Sequence, residues 1–281
     1  MVVGWIFDGG LILNIYTGSN FSEFEALLPE SWGKRNWVEL PLEVLSYGGG
    51  TQSTAILVLI RDGYLPAPDL VLHADTGSEL PETVAFLSEA KALCDEIDIP
   101  FIIVGSHRGS LHNDYLRLNT IPVIGTRSCT GNFKILPQRR FLREIVGNKR
   151  GKVLAKMWLG ITLDEARRRS SHCDVKWTEL TYPLLDDYPI TRDQAIAINE
   201  KAGLTVGKSG CFCCPYAGSN HWFDLRKNHP ELFEIAIKME ENKFEHRGGK
   251  LGLFQEKRLT MLDSYIPKED SNCDSGAGCF L

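Results

Sequence analysis

Residues 44–63, "VLSYGGGTQSTAILVLIRDG", pass from an apolar run through three consecutive glycines into a second apolar run. Glycine costs chain entropy, so three together need either a turn with positive φ or a partner that approaches the main chain closely. Val44 and Leu45 read as the end of a buried strand, and Thr51 to Ile60 as a helix opened by hydroxyl side chains. Strand, glycine turn and helix N-terminus together make an anion cradle, because unpaired amides and the positive end of the helix dipole face the same way. A tight strand-to-helix turn with no ligand would use the glycines equally well. Ser46, Thr51, Gln52, Ser53 and Thr54 crowd hydroxyl and amide groups into the same loop and favour the cradle.

The bulk composition narrows the class. With 281 residues, 43% hydrophobic and 24% charged, the chain can bury one substantial core, which excludes fibrous and disordered readings. A net charge of −5 and a pI near 5.8 exclude a general polyanion-binding surface, so any nucleic-acid contact is local. No apolar run reaches the roughly 20 residues that cross a bilayer, and no membrane partner is expected. The opening "MVVGWIFDGGLILNIY" has no basic segment and carries Asp8 in its middle, so it reads as a β-hairpin turning at "DGG" and not as a signal peptide. A cytoplasmic location follows as an expectation. In that reducing setting the eight cysteines point to metal or redox chemistry before structural disulfides.

After the first helix, "DLVLHAD" (69–75) is a short strand, "PETVAFLSEAKALCDEI" (81–97) a helix with proline in its first turn, and "PFIIVGS" (100–106) a further strand. Alternation of this kind predicts an α/β fold, a doubly wound, mainly parallel sheet with helices on both faces. Ligands of such sheets lie beyond the carboxyl ends of the strands, where the glycine turn, "HADTGSE" and "GSHRGS" fall. Residues 105–132 read as one long loop, 134–147 as a helix, 152–161 as a strand and "TLDEARRR" as a short helix. Thr191 caps a helix that Gly203 stops. The expected organisation is an N-terminal hairpin extension (1–40), a nucleotide-binding α/β core (41–205) and a cysteine-containing helical region with a polar tail (206–281).

"SYGGGTQS" resembles the nucleotide-binding loop of the PP-loop ATP pyrophosphatases, whose fold belongs to the HUP-like class. "HADTGSELPET" resembles the second strand of their phosphoadenosine phosphosulfate (PAPS) reductase branch. "SCTGNFKILPQRRFLRE", "GITLDEARRR" and "CFCCPY" are similar to later blocks of that branch, so the resemblance spans about residues 42–230. It implies that Ser46, Gly48, Gly49, Gly50 and Ser53 line a phosphate or sulfate, and that Asp75 meets a nucleotide or Mg²⁺. Gln52 stands where the usual loop carries aspartate. That departure bears on whether ATP is cleaved or a related adenine nucleotide, such as an adenylylsulfate, is bound. Glu79 is expected to be solvated.

Arginine's planar fork suits bidentate oxyanion binding, and of Arg167, Arg168 and Arg169 we expect Arg167 to face inward, leaving the other two on a solvated face with Asp164 and Glu165. Lys134 either meets phosphate as well or lies at the surface. Cys211 and Cys214 make a CxxC spacing that can bind one metal centre. The resemblance adds Cys129, 82 positions earlier, and a [4Fe–4S] cluster. A fourth ligand would come from Cys273, Cys279 or Cys213. Zinc is the rival metal. The resemblance also implies a mobile tail thiol that attacks sulfur, with Cys279 or Cys273 as nucleophile. Cys94 falls on an apolar helix stripe and reads as a buried hydrophobe, and Cys173 as a loop thiol.

Three functions follow as expectations. The first is a sulfonucleotide reductase-like oxidoreductase served by a thioredoxin-type reductant. The second is an ATP-dependent sulfurtransferase acting on tRNA or DNA, for which eight basic residues between Lys134 and Lys156 offer a backbone-binding patch. The third is a nucleotide-sensing module without turnover.

Overall fold

A computed structural model describes residues 3–6, 12–16, 41–147, 151–170, 175–207, 209–254 and 257–264. Among them seven strands form one sheet in the order β1 (Val3–Ile6), β2 (Ile12–Tyr16), β5 (Phe101–Gly105), β4 (Leu70–Asp75), β3 (Leu42–Tyr47), β6 (Ala155–Trp158) and β7 (Thr178–Thr181). Every neighbouring pair is parallel except β1 with β2, which run antiparallel with Val3 opposite Ile15. The expected hairpin extension therefore joins the sheet through β2 and β5, while its "DGG" turn lies outside the described residues.

The pleat sorts the strand side chains onto two faces. Leu45, Tyr47, Val71 and Ile103 belong to one buried cluster, closed by helix Thr51–Arg61, helix Pro81–Glu96 and helix Arg192–Lys201. Val44, Leu70, Leu72, Ala74, Ile102 and Val104 belong to another, closed by Phe141, Leu142 and Val146 of helix Leu136–Val146. Both faces are covered, as a parallel sheet requires, and the doubly wound α/β architecture is the one expected. Cys94 sits fully buried in the first cluster, where burial raises its thiol pKa to about 12. Thr191 caps helix Arg192–Lys201 with a capping box to Gln194.

By packing, the chain divides into two units. Among the described residues, the sheet unit holds those within 1–75, 81–107 and 136–209, and the second holds those within 76–80, 108–135 and 210–264. In the second unit the expected long loop contains a helix, Leu111–Arg117. Local periodicity is weak over so short a run. The helix forms because Leu111 and Tyr115, one turn apart, are buried together, and because Arg108 and Arg117 both pair with the carboxylate of Asp114, at 3.1 and 2.6 Å. Helices Ser219–Asn228 and Pro230–Arg247 close this core, and the break between them falls at His229, whose extended φ of −137° suits a residue before proline.

Glu240 on the longer helix is buried and ties down the segment after it: its carboxylate accepts hydrogen bonds from the amides of Leu253 (2.6 Å) and Leu259 (2.8 Å). Burial raises the carboxyl pKa above its ordinary value, against the lowering effect of those amides and that of Phe254. An acid with a raised folded pKa penalises folding fully above that pKa. The penalty fades as pH falls through it toward the unfolded value. Wild-type protein should gain more stability between pH 7 and pH 5 than Glu240→Gln, measured by urea unfolding; equal slopes for the two proteins would refute this.

Candidate functional site

The glycine loop leaves β3 and enters helix Thr51–Arg61, whose N-cap is Gly50 with no side-chain cap. Gly49 adopts φ +74°, the left-handed region that only glycine enters at little cost. Gly50 has an extended backbone, and its constraint is space: a Cβ there would stand 2.5 Å from Ser209 Oγ. Gly48 is half-buried, whereas Gly49 and Gly50 are buried.

The hydroxyls expected to open the helix do something else. Ser53 Oγ accepts a bond from the Gly48 amide (3.3 Å) and donates to the Gly50 carbonyl (3.1 Å), and Thr54 Oγ1 donates to the same carbonyl (2.9 Å). They brace the loop's own backbone. Since an α-helix cannot pair the amides of its first turn internally, those of Thr51, Gln52 and Ser53 have no acceptor within the helix. The first helical bond in the loop is Thr54 N–H to the Gly50 carbonyl at 3.1 Å.

Around this turn the sheet unit gathers polar groups. Gln138 Nε2 donates to Ser46 Oγ (3.1 Å), and Asn199 Nδ2 donates to the Thr51 carbonyl (2.9 Å). Among the described residues the buried Oδ1 of Asn199 and Oγ1 of Thr83 have no hydrogen-bond partner, and the Thr83 methyl lies 3.0 Å from where a Gly49 Cβ would be. Buried polar atoms are rarely left unpaired. Gly160 escaped the sequence reading. A Cβ there would meet Ser53 N at 3.0 Å and Gln52 C at 3.2 Å, so segment 160–168 rests against the helix start because residue 160 has no side chain. A glycine two residues after a strand was the available signal.

The segment that follows corrects one expectation. Leu163–Arg168 is a 3₁₀ helix, and Arg167 is exposed. The arginine that turns in is Arg168, paired with Glu165 at 2.7 Å, while Glu165 accepts from Gln52 Nε2 at 3.2 Å. Three residues per turn set 165 and 168 on one face and leave 167 on another. Arg169 pairs with Asp186. Asp75 ends β4 opposite Gly105, half-buried.

In the second unit, Cys129, Cys211 and Cys213 are buried in one cluster with Phe133, Phe212 and Trp222, whereas Cys214 is half-buried. Cys213, offered above as one source of a fourth ligand, shares the core with Cys129. Burial pushes the Tyr115 phenol up to about 12, its bond to Ser128 opposes this, and the thiols of Cys129 and Cys213 add to the rise. Cys211 Sγ lies 3.2 Å from Thr76 Oγ1. The donors suit a soft metal in kind, and none of the described cysteines is in a disulfide. Yet among the described residues no three His, Cys, Asp or Glu side chains are grouped as a metal site needs. Cys173, Cys273 and Cys279 lie outside the described residues.

Glu79 is buried, not solvated, with Lys134 Nζ 4.0 Å away in a π-helical turn. A carboxylate is taken out of water only with a cation beside it. The basic stretch is largely occupied: Arg143 stacks on Trp177 at 3.9 Å, Lys156 pairs with Glu43 at 2.9 Å, and Arg140 bonds His107; Lys149 and Arg150 lie outside the described residues.

Fold and loop together define an α/β protein with a glycine-built, uncapped helix start at the carboxyl end of a parallel strand. No family model matches the chain, and no curated protein does. Among solved structures it is similar to the U34-tRNA thiolase NcsA from Methanococcus maripaludis with its [4Fe-4S] cluster, at 18% identity over 82% of each chain and a TM-score of 0.41. It is also similar to the PAPS reductase from Candida auris in its phosphate complex, at 13% identity over 68% of this chain and 91% of that chain, with a TM-score of 0.43.

Proposed function

We propose that the protein is an adenine-nucleotide-binding enzyme of the PP-loop kind working in sulfur chemistry, a sulfonucleotide reductase-like oxidoreductase. The observation that carries this reading is the uncapped turn at Thr51, reached through a left-handed Gly49 and overlaid by side-chain-free Gly160. Amides of Thr51, Gln52 and Ser53 offer dipoles to an oxyanion without any charged side chain having to move. Ser46 and the three glycines form the approach, and Asp75 at the end of β4 suits a ribose hydroxyl or Mg²⁺. Gln52, neutral where a carboxylate would repel phosphate, donates to Glu165.

The thiols belong to the same reading. Cys129, Cys211 and Cys214 are the proposed holders of a [4Fe–4S] cluster or zinc, with Cys213 in the same core as Cys129 and Cys211, Cys273 as a further ligand and Cys279 as the thiol that attacks the sulfate sulfur, displacing the adenosine phosphate and becoming an S-sulfonate. A thioredoxin-type dithiol would then release sulfite from it, being oxidised to the disulfide as Cys279 returns to the thiol. A sulfur-inserting enzyme acting on tRNA or DNA would use the same loop and thiols. The pairing of Lys134, Arg143 and Lys156 with partners in the chain favours the nucleotide substrate over the nucleic acid.

The test uses full-length protein purified without oxygen. We expect adenosine phosphosulfate or its 3′-phosphate to raise the melting temperature more than ATP with Mg²⁺ does, and iron and sulfide to accompany the protein. Stabilisation by ATP with Mg²⁺ together with retention of RNA or DNA would move the assignment to the transferase. No shift with any adenine nucleotide would end the nucleotide reading.

A further inference from the structure

We propose that a cationic face of the second unit, built by Lys243, Arg247, Lys250 and Arg258 around exposed Leu251 and Met261, is the docking surface for an acidic dithiol protein that reduces the tail thiols. The identity of the partner rests on the sulfur-chemistry reading above, whereas the surface is read from the unit itself.

The cations are gathered by packing. On helix Pro230–Arg247, Lys243 Nζ stands 4.2 Å from the centre of the Phe244 ring, and the Arg258 guanidinium carbon stands 3.9 Å from it. Lys243 Nζ also donates to the Leu251 carbonyl (3.0 Å), and a Cβ at Gly249 would stand 3.2 Å from that nitrogen, so the turn carrying Lys250 and Leu251 lies against the helix end. Arg247 donates to the Leu118 carbonyl at 2.8 Å. These bonds all go to carbonyls, and among the described residues no carboxylate forms an ion pair with Lys243, Arg247, Lys250 or Arg258. Glu240, one turn before Lys243, is taken up by the amides of Leu253 and Leu259. Glu241 and Glu245 fall on the opposite side of the helix at 3.6 residues per turn. Burial and the charge of Arg258 hold the Lys243 ammonium below its ordinary pKa, against the pull of Glu240. Like charges crowded without counter-charge cost free energy, and an anionic partner relieves that cost.

Two observations select a protein as the partner. Leu251 and Met261 are each 53% exposed, and Met261 follows Arg258 in the 3₁₀ turn Leu259–Ser264, its amide bonded to the Arg258 carbonyl at 2.9 Å. Large aliphatic side chains set among arginines mark protein interfaces, whereas nucleic-acid interfaces are more polar and more strongly positive. Second, the described chain ends at Ser264, beside this face, and Cys273 and Cys279 follow nine and fifteen positions later. Fifteen residues reach at most about 50 Å. A dithiol protein seated here therefore has both tail thiols within tether reach. The chain as a whole carries a net charge of −5, so the cationic face is a local exception that steers an acidic partner to one place.

Full-length protein with its accessible thiols capped by thionitrobenzoate supplies the test. A dithiol attacks the mixed disulfide and leaves as its own disulfide, freeing one thiol of the chain and one coloured thionitrobenzoate. Second-order rates are measured with an acidic thioredoxin and with dithiothreitol, a neutral dithiol too small to dock. Lys243→Glu with Arg258→Glu should slow thioredoxin roughly 10-fold or more at low salt, leave dithiothreitol within twofold, and lose its difference from wild type as salt rises. Since Lys243 and Arg258 also hold Phe244, Lys250→Glu with Leu251→Ser, both exposed, gives a second variant with the same split. Equal slowing of both dithiols, or of neither, would overturn the proposal. Variants that keep the thioredoxin rate but lose binding of a single-stranded oligonucleotide, or lose self-association in sedimentation, would assign the face to nucleic acid or to a second copy instead. Adenylylsulfate stabilisation without any thioredoxin preference for wild type would end the docking proposal alone. The reverse outcome would end the sulfonucleotide reading and keep the docking face.

Discussion

Gly49→Ala is expected to destabilise the sheet unit by about 2–5 kcal/mol and to abolish nucleotide binding. Two costs add. A residue with a Cβ pays roughly 1–2 kcal/mol in the left-handed region, and φ at Gly49 is +74°. The new methyl also meets the Thr83 Cγ2 at 3.0 Å, with His73 Cε1 and Ser209 Cβ at 3.9 Å, in a core where an added carbon costs about 1–3 kcal/mol. Thr83 is buried on helix Pro81–Glu96 and has little room to give. Gly50→Ala provides the internal comparison. Its backbone is extended and the obstacle is a serine hydroxyl that can rotate, so the loss should be about 1 kcal/mol. Urea unfolding of both variants checks the order; a Gly49→Ala protein as stable as wild type would remove the argument for a strained loop.

Trp222 should divide by substitution. It is fully buried in the cysteine-bearing core, so Trp222→Ala leaves a large cavity and is expected to cost about 3–5 kcal/mol. Trp222→Phe should cost about 1 kcal/mol or less. Among the described residues the indole Nε1 has no hydrogen-bond partner, and phenylalanine fills much of the volume without burying a donor. A Trp222→Phe variant as unstable as Trp222→Ala would show that the indole N–H is bonded in the working protein. Chemical denaturation, with the native state of each variant checked by near-ultraviolet circular dichroism, reads both.

Much of the sheet unit is legible along the chain because its elements are local. Val44, Leu45 and the glycines announce a strand, a turn and a helix within twenty residues, and Thr191 with Gln194 announces the start of helix Arg192–Lys201. Where short elements depend on distant partners the sequence is nearly silent. β7 is four residues long and exists by pairing with β6, and helix Leu111–Arg117 is stabilised by two arginines around one buried aspartate. The burial of Glu79 is equally invisible until Lys134, 55 positions later, is placed 4.0 Å away.

Within the candidate site the division runs along the same line. Residue types alone determined that the loop at 48–50 needs glycine, that hydroxyls and amides crowd it, and that Cys211, Cys213 and Cys214 lie within four positions of one another, because those constraints act between near neighbours. Tertiary structure decided which arginine turns in, that Gly160 must lack a side chain, and that Cys213 joins Cys129 and Cys211 in one core. The physical reason is that a side chain's direction depends on the type of helix bearing it and on what packs opposite. For Arg168 that meant a 3₁₀ turn with Glu165 one turn earlier, braced by an amide more than a hundred residues away.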